Sequence, residues 1–231
     1  MNRRHFLAAP ALLAGAALPA RAADQPVVVE LFTSQSCSSC PPADALLGEL
    51  AHDRTDLLAL SFHITYWDRS GWRDRFSLRE ATERQRRYSS TLVGSRYRGQ
   101  VYTPQLVVQG QADAVGSDRE AVLAAIEAAR GGARVPITVT PNVTSVTIQV
   151  GAGSGVATVW LIGYDPRHET DVRSGENGGR KLVDVNVVRS IVQAGAWLGQ
   201  PLRVDEQKPE GQRIAVLLQA AGGGILGAAA A

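Results

Sequence analysis

The chain has 231 residues, of which 45% are hydrophobic and 20% charged, a composition typical of globular proteins that excludes disordered and collagen-like chains. The formal net charge is +2 at pH 7, but three of the 24 basic residues, Arg3, Arg4 and Arg21, lie in an N-terminal segment that we predict is removed, which leaves 21 basic against 22 acidic residues. This near-neutral balance argues against a nucleic-acid-binding protein, which usually has a basic surface.

The N-terminal segment, residues 1–22, has the pattern of a signal peptide. Its sequence, MNRRHFLAAPALLAGAALPARA, combines a basic start, an apolar stretch of about a dozen residues and a small-x-small end. The paired arginines resemble the twin-arginine export signal, with an ordinary secretory signal as the alternative. The apolar stretch is short for a membrane span, so cleavage after Ala22 is favoured over an uncleaved anchor. We therefore predict a periplasmic or secreted protein with no membrane span in the mature chain.

The next part of the chain, residues 25–132, alternates between strand-like and helical patterns. Its order of strand, helix, strand, helix, strand, turn and helix predicts an α/β domain. The β-branched run VVVELF is typical of a strand buried on both faces, and two capping boxes, SLRE and SDRE, each predict a helix start. The predicted elements are strands over 27–32, 57–64 and 105–110, a helix over 43–53, and helices that begin at the boxes 77–80 and 117–120.

After Gly132 the pattern changes to short alternating or β-branched runs separated by Gly, Pro, Asn and Asp. These runs predict a small all-β, sandwich-like domain over residues 133–222. The last residues, 223–231 (GGILGAAAA), have no polar periodicity, and we predict a flexible tail there.

Both cysteines lie in the stretch ELFTSQSCSSCPPAD, where the first buried strand passes into a helix. Two cysteines in an exported protein usually indicate a disulfide, but a loop of four residues gives only about 2 kcal/mol of stabilisation. The helix start favours a thiolate on Cys37, which we expect to be exposed and to have a lowered pKa. Cys40 is placed to resolve a mixed disulfide formed at Cys37. Two interpretations of the pair, an exchange-active dithiol and an inert disulfide, therefore stay open.

Glu30 precedes this pair within the buried strand. A carboxylate there carries a desolvation cost unless it is paired or protonated. Glu30 is therefore a candidate base for the proton of Cys40. The alternative is that Glu30 is solvent-exposed at a sheet edge or paired with an arginine.

Taken together with Thr103 and Pro104, the order of elements around the dithiol resembles the thioredoxin fold, in which a cis-proline faces a CxxC pair. The resemblance covers residues 27–131. It implies that Cys37 is the nucleophile, that Cys40 is the resolving thiol, that Pro104 is cis, and that Thr103 offers its backbone to a bound peptide or thiol.

A closer resemblance spans nearly the whole mature chain. The stretches ELFTSQSCSSCPPAD, FHITYWDRSGWRDRF, RQRRY, VYTPQLVVQG and GENGGR are similar to a family of exported thioredoxin-like proteins catalogued as a domain of unknown function. This family brings no established reaction. The serines at positions 36, 38 and 39 depart from ordinary thioredoxins, and the pair between the cysteines tunes redox potential, so the direction of electron flow stays open.

The stretch FHITYWDRSGWRDRF, residues 62–76, leaves the carboxyl end of a predicted strand, where open α/β sheets place their ligands. We predict that it forms a lid or pocket wall beside Cys37. The alternative is that its tryptophans pack in the core and that His63 has a structural role. The GENGGR turn, residues 175–180, either contacts the first domain or a ligand or is a plain hairpin connection. The candidate pocket residues are His63, Tyr66, Trp67, Asp68 and Trp72.

We therefore predict a periplasmic thiol-disulfide oxidoreductase that needs no cofactor and acts on protein or small-molecule thiols and disulfides. One alternative is a binding module for a soft metal such as Cu(I), held by Cys37, Cys40 and His63. A second alternative is a non-catalytic interaction protein with an inert disulfide.

Overall fold

A computed structural model describes residues 25–231. The predicted signal peptide and its cleavage site lie outside the described residues. The elements in chain order are β1 (Val27–Thr33), α1 (Pro41–Asp53), β2 (Leu57–His63), α2 (Arg79–Thr91), β3 (Gln105–Val108), β4 (Ala112–Val115), α3 (Arg119–Ala128), β5 (Ile137–Pro141), β6 (Ser145–Val150), β7 (Ala157–Asp171), β8 (Lys181–Trp197), β9 (Leu202–Gln207), β10 (Arg213–Ala220) and β11 (Ile225–Ala230).

The architecture is mixed α/β, with an eight-stranded mixed sheet of strand order β11-β10-β7-β8-β2-β1-β3-β4. Strand β1 runs parallel to β2 and antiparallel to β3, and β3 runs antiparallel to β4. The order of elements in the first half is the predicted one, and the predicted turn is the short strand β4. Within residues 25–231, no helix is both long and apolar enough to span a membrane.

Strand β1 is buried along its whole length because both of its faces are covered. Val29 and Leu31 pack with α1 and α3, whereas Val28 and Phe32 pack with α2 and with β10 and β11. The continuous apolar run predicted this double burial, since a strand with one wet face would alternate. Glu30 lies between Val29 and Leu31 and therefore points to the α2 face.

The predicted separate β-sandwich differs from the observed arrangement. Strands β7, β8, β10 and β11 extend the sheet of the first half, where β8 joins β2 through the pair Ser61 and Val187. The other three strands form a small antiparallel sheet of order β5-β6-β9. Its Val146 and Ile148 pack against Val159 and Val216 of the large sheet. A sequence pattern identifies strands but not the edge on which they pair, and the domain boundaries drawn above stay a prediction.

The predicted flexible tail is instead strand β11, at the edge of the large sheet. Leu217 of β10 pairs with Ala228, and the backbone N–H of Ile225 donates to the carbonyl of Gln109 at 2.9 Å. Ile225 and Ala228 are buried. The small residues pack closely on the sheet, and an edge strand needs only one partner, so the absence of polar periodicity did not indicate disorder here.

The prediction that the box SLRE, residues 77–80, caps the start of α2 is wrong. Leu78 precedes α2 without a side-chain cap, and the Ser77 hydroxyl donates to Asp68 at 2.7 Å instead. At α3 the cap lies one residue later than predicted, because Asp118 accepts the backbone N–H of Ala121 at 3.1 Å.

A candidate disulfide site at the start of α1

Cys37 and Cys40 are joined in a disulfide, with their Cα atoms 5.4 Å apart. Cys40 is the N-cap residue of α1, and Pro41 begins the helix. Proline fits this first position because its missing N–H would have no partner in the helix. The backbone N–H of Ala43 donates to the carbonyl of Cys40 at 2.8 Å. The structure thus places the pair at the strand-to-helix junction that the sequence predicted.

The sulfur of Cys37 is approached by a chain of two hydrogen bonds. The indole N–H of Trp67 donates to the Thr103 hydroxyl at 2.8 Å, and this hydroxyl donates to the Cys37 sulfur at 3.4 Å. The Thr103-Pro104 peptide bond is cis, as the resemblance implied. Residues from the 62–76 stretch and from the loop before β3 therefore meet at Cys37.

Cys37 is fully buried, which corrects the prediction that it is exposed. The cover comes from the 174–180 turn, which connects β7 and β8. The Asn177 amide donates to the carbonyls of Gln35 and Cys37, both at 2.9 Å, and Glu176 accepts the backbone N–H of Ser38 at 3.1 Å. This turn lies far away in sequence, so local burial patterns could not reveal the cover. Of the two alternatives for GENGGR, the structure shows the contact with the first half.

The 174–180 turn also touches the 62–76 stretch. The Ser174 hydroxyl donates to the carbonyl of Gly71 at 2.6 Å. Gly71 and Gly175 both have positive φ angles, and a Cβ at Gly71 would lie 3.2 Å from the Cα of Gly175. Glycine is required here because two backbones approach closely in a conformation that other residues rarely adopt.

The predicted pocket residues divide into two groups. Trp67 contacts the site through Thr103, and Trp72 donates its indole N–H to the side-chain oxygen of Gln35 at 3.2 Å. Tyr66 and Asp68 form hydrogen bonds to α2 and within the 62–76 stretch, respectively. The Tyr66 hydroxyl donates to Gln85 at 3.1 Å, and Asp68 accepts the Asp74 backbone N–H at 3.2 Å.

Glu30 forms a buried ion pair rather than facing the cysteines. Its carboxylate accepts two N–H groups of Arg84 and the hydroxyl of Tyr88, the latter at 2.6 Å. Arg84 lies on α2, across the sheet from α1. Of the alternatives weighed for Glu30, the arginine pair is the observed one.

His63 is fully buried and donates from Nδ1 to the Asp74 carboxylate at 2.7 Å. Burial alone would lower the pKa of His63, but Asp74 and, more weakly, Asp184 and Asp44 raise it to about 9. Burial would raise the pKa of Asp74, yet the positive His63 holds it below its usual range. Across the described residues 25–231, no group of three or more His, Cys, Asp or Glu side chains is placed to hold a metal ion.

Sequence reasoning missed three residues of this region: Gln35, Asp44 and Asp184. The side-chain amide of Gln35 donates to Asp184 at 2.7 Å, and Asp44 lies one helical turn after Cys40. A sequence signal existed for two of them, because Asp44 and Asp184 are carboxylates within mainly apolar stretches, PPADALL and LVDVNVV.

These observations define a mixed α/β protein with a CxxC disulfide covered by a turn from its second half. The chain belongs to the family described as "Protein of unknown function (DUF1223)", which matches residues 28–219. The predicted family membership is thereby confirmed. No curated protein matches the sequence.

Two solved structures are similar to this chain. Protein AGR_C_4864 from Agrobacterium tumefaciens is 34% identical, with a TM-score of 0.76, and the match covers 88% of this chain and 92% of that one. HBP35 of Porphyromonas gingivalis is 12% identical, with a TM-score of 0.55, and the match covers 90% of this chain and 75% of that one. At that identity the second match supports similarity of fold alone.

Proposed function

We propose that this protein is an exported thioredoxin-like thiol-disulfide oxidoreductase that uses the Cys37–Cys40 pair. The observation that carries the proposal is the Thr103 hydroxyl, which donates to the sulfur of Cys37 at 3.4 Å beside a helix start. A hydrogen bond donor and the positive end of a helix dipole both stabilise a thiolate. An inert disulfide would need neither group.

The burial of Cys37 bears on how a substrate reaches the disulfide. Ser38 and Ser39, which separate the two cysteines, are exposed, whereas the sulfurs lie beneath them. The hydrogen bonds from Asn177 and to Glu176 hold the cover in place, and Glu176 is itself exposed. A substrate thiol therefore reaches Cys37 only when these bonds open, and exchange is accordingly slower than at an exposed dithiol.

A redox titration of the purified protein tests the proposal. We expect the pair to equilibrate with mixtures of reduced and oxidised glutathione in one two-electron transition, at a potential above about −300 mV, the range below which structural disulfides lie. The fraction reduced is measured by alkylation and mass spectrometry. A pair that stays oxidised across the titration would support the inert disulfide instead.

Two matched variants identify the attacking thiol in the same experiment. With oxidised glutathione, Cys40→Ser should accumulate an adduct at Cys37, because no resolving thiol remains to release it. Cys37→Ser should accumulate far less, since Cys40 lacks the Thr103 contact. The reverse ranking would exchange the two roles.

The proposed compartment is the periplasm or the exterior, where disulfides persist. When the full chain is expressed in a bacterium with both export routes, we expect the protein outside the cytoplasm, with Ala23 as its first residue. Replacing Arg3 and Arg4 by lysine should hold it inside, since the twin-arginine route reads the arginine pair. Fractionation and N-terminal sequencing measure this, and unchanged export of the lysine variant would indicate the ordinary secretory route.

A further inference from the structure

Three buried side-chain atoms lack a hydrogen-bond partner within residues 25–231: Thr33 Oγ1, Asp44 Oδ1 and His63 Nε2. Buried polar atoms are nearly always paired in folded proteins, so each exception needs an explanation. The three lie together. Thr33 and His63 are register partners at the ends of β1 and β2, on the sheet face that α1 covers, and Asp44 lies on α1.

Their chemistry is complementary. His63 gives Nδ1 to Asp74 at 2.7 Å, which leaves Nε2 as a donor when the ring is protonated. Asp44 offers a carboxylate oxygen as an acceptor. Burial and then the negative charge of Asp184 raise the pKa of Asp44 to about 7, while His63 acts in the opposite direction. Asp44 is thus a carboxyl group that both gains and loses a proton near neutral pH.

Asp44 lies in the first turn of α1, one helical turn after Cys40. Its backbone N–H donates to the carbonyl of Cys40 at 3.1 Å, one helical turn away. Helical side chains lean toward the N-terminus of their helix, so the Asp44 carboxyl leans toward Cys40. Glu30, the acid predicted from the sequence for this role, is paired with Arg84 on the opposite face of the sheet.

Asp44 also has a path to solvent. It lines a groove of about 360 Å³ between α1 and the start of β8. The groove walls combine apolar side chains with two basic ones. The lining includes Pro41, Gly48, Arg180, Lys181, Leu182 and Val185.

We propose that Asp44 carries the proton of Cys40 to and from solvent during disulfide exchange, and that the His63–Asp74 pair positions it. This inference rests on the proposed function. When a substrate disulfide is reduced, the Cys37 thiolate attacks one substrate sulfur and the other leaves as a thiolate. Asp44 then takes the proton from the Cys40 thiol, and the Cys40 sulfur attacks Cys37. The Cys37–Cys40 bond forms, the mixed disulfide breaks, and the second substrate thiolate leaves. In the opposite direction Asp44 returns the proton to Cys40.

Burial is the largest cause of the raised pKa of Asp44, and the charged groups that face it act beside burial. His63 on β2 lowers the pKa of Asp44, whereas Asp184 on β8 and Asp74 on the 62–76 stretch raise it. Arg180 and Lys181 stand at the groove beside it. With these groups in place, the pKa of the carboxyl is raised toward neutral pH, which suits a group that must accept and return a proton.

Stopped-flow oxidation of the reduced protein by dithiodipyridine separates the two steps. The first thiopyridone is released when Cys37 attacks, and the second when Cys40 resolves the mixed disulfide. In the wild-type protein the second phase should have a pH inflection near 7. In Asp44→Asn we expect the second phase to slow by about 100-fold at pH 7, a typical contribution of a general base, and to lose this inflection. The first phase should change by no more than about twofold, since Asp44 does not touch Cys37 in this scheme.

Two further variants make the result decisive. Asp53→Asn, at the exposed end of the same helix, should leave both phases unchanged. Asp44→Glu keeps the carboxyl and should retain an inflection in the second phase. If the wild-type protein releases no thiopyridone, the proposed function fails. If it releases both equivalents, the role of Asp44 alone is overturned by either of two results. One is a second phase in Asp44→Asn with the wild-type rate and inflection, and the other is a second phase in Asp44→Glu without an inflection.

Discussion

Replacing Arg84 by methionine should lower the free energy of unfolding by about 3 to 5 kcal/mol, the usual result of breaking a buried ion pair from one side. Arg84 and Glu30 are both buried, and the guanidinium donates twice to the Glu30 carboxylate. Removing the cation leaves Glu30 charged in an apolar layer with only the hydroxyl of Tyr88 as a partner. Urea denaturation at pH 7 measures the loss.

Two comparisons separate the ion pair from the loss of side-chain volume. The double variant Glu30→Met and Arg84→Met should recover most of the stability, because an apolar pair of similar size carries no desolvation cost. Arg79→Met, on the same helix, removes an arginine whose side chain is 80% exposed and should change stability by less than about 0.5 kcal/mol. A loss of less than about 1 kcal/mol in Arg84→Met would show that this ion pair contributes little to stability.

The sequence predicted the first half of the fold because its signals there are local. The run VVVELF, the cysteine pair before two prolines and the Thr103-Pro104 dipeptide each indicate structure within a few residues. The connection of β8 to β2 has no such signal. It is made by the register pair of Ser61 with Val187 and by a hydrogen bond from the Asn186 amide to the carbonyl of Ala59, between residues more than a hundred positions apart.

The same distinction explains the site. The 62–76 stretch was predicted to lie beside Cys37, and its Trp67 reaches the Cys37 sulfur through the hydroxyl of Thr103. The exposure of Cys37 was wrong because Asn177, from the second half, covers it. The sequence left the partner of Glu30 open. A buried acid needs a counter-charge, and any of the nine arginines in residues 68–98 could provide it. Only packing selects Arg84 among them.

The buried His63–Asp74 pair should make stability fall as the solution becomes alkaline. The folded-state pKa of His63 is raised from 6.5 to about 9, so its contribution is fully present below about pH 6.5 and is lost as the pH rises through 9. Between pH 7.5 and 9.5 this loss amounts to about 2 kcal/mol in the free energy of unfolding. Asp44, whose pKa is raised to about 7, loses its own contribution mainly below this window. Urea denaturation at the two pH values measures the fall.

Asp74→Asn tests whether this pair is the cause. The variant should lose about 3 kcal/mol at pH 7.5, because the imidazolium loses its counter-charge in a buried site. Burial then dominates and lowers the pKa of His63, so the ring is neutral throughout the window. The further fall toward pH 9.5 should therefore nearly vanish in Asp74→Asn, whereas the control Asp53→Asn should show the wild-type fall. If Asp74→Asn kept the wild-type pH dependence, groups other than His63 would cause the fall in stability. His63 would then not be a buried cation beside Asp44.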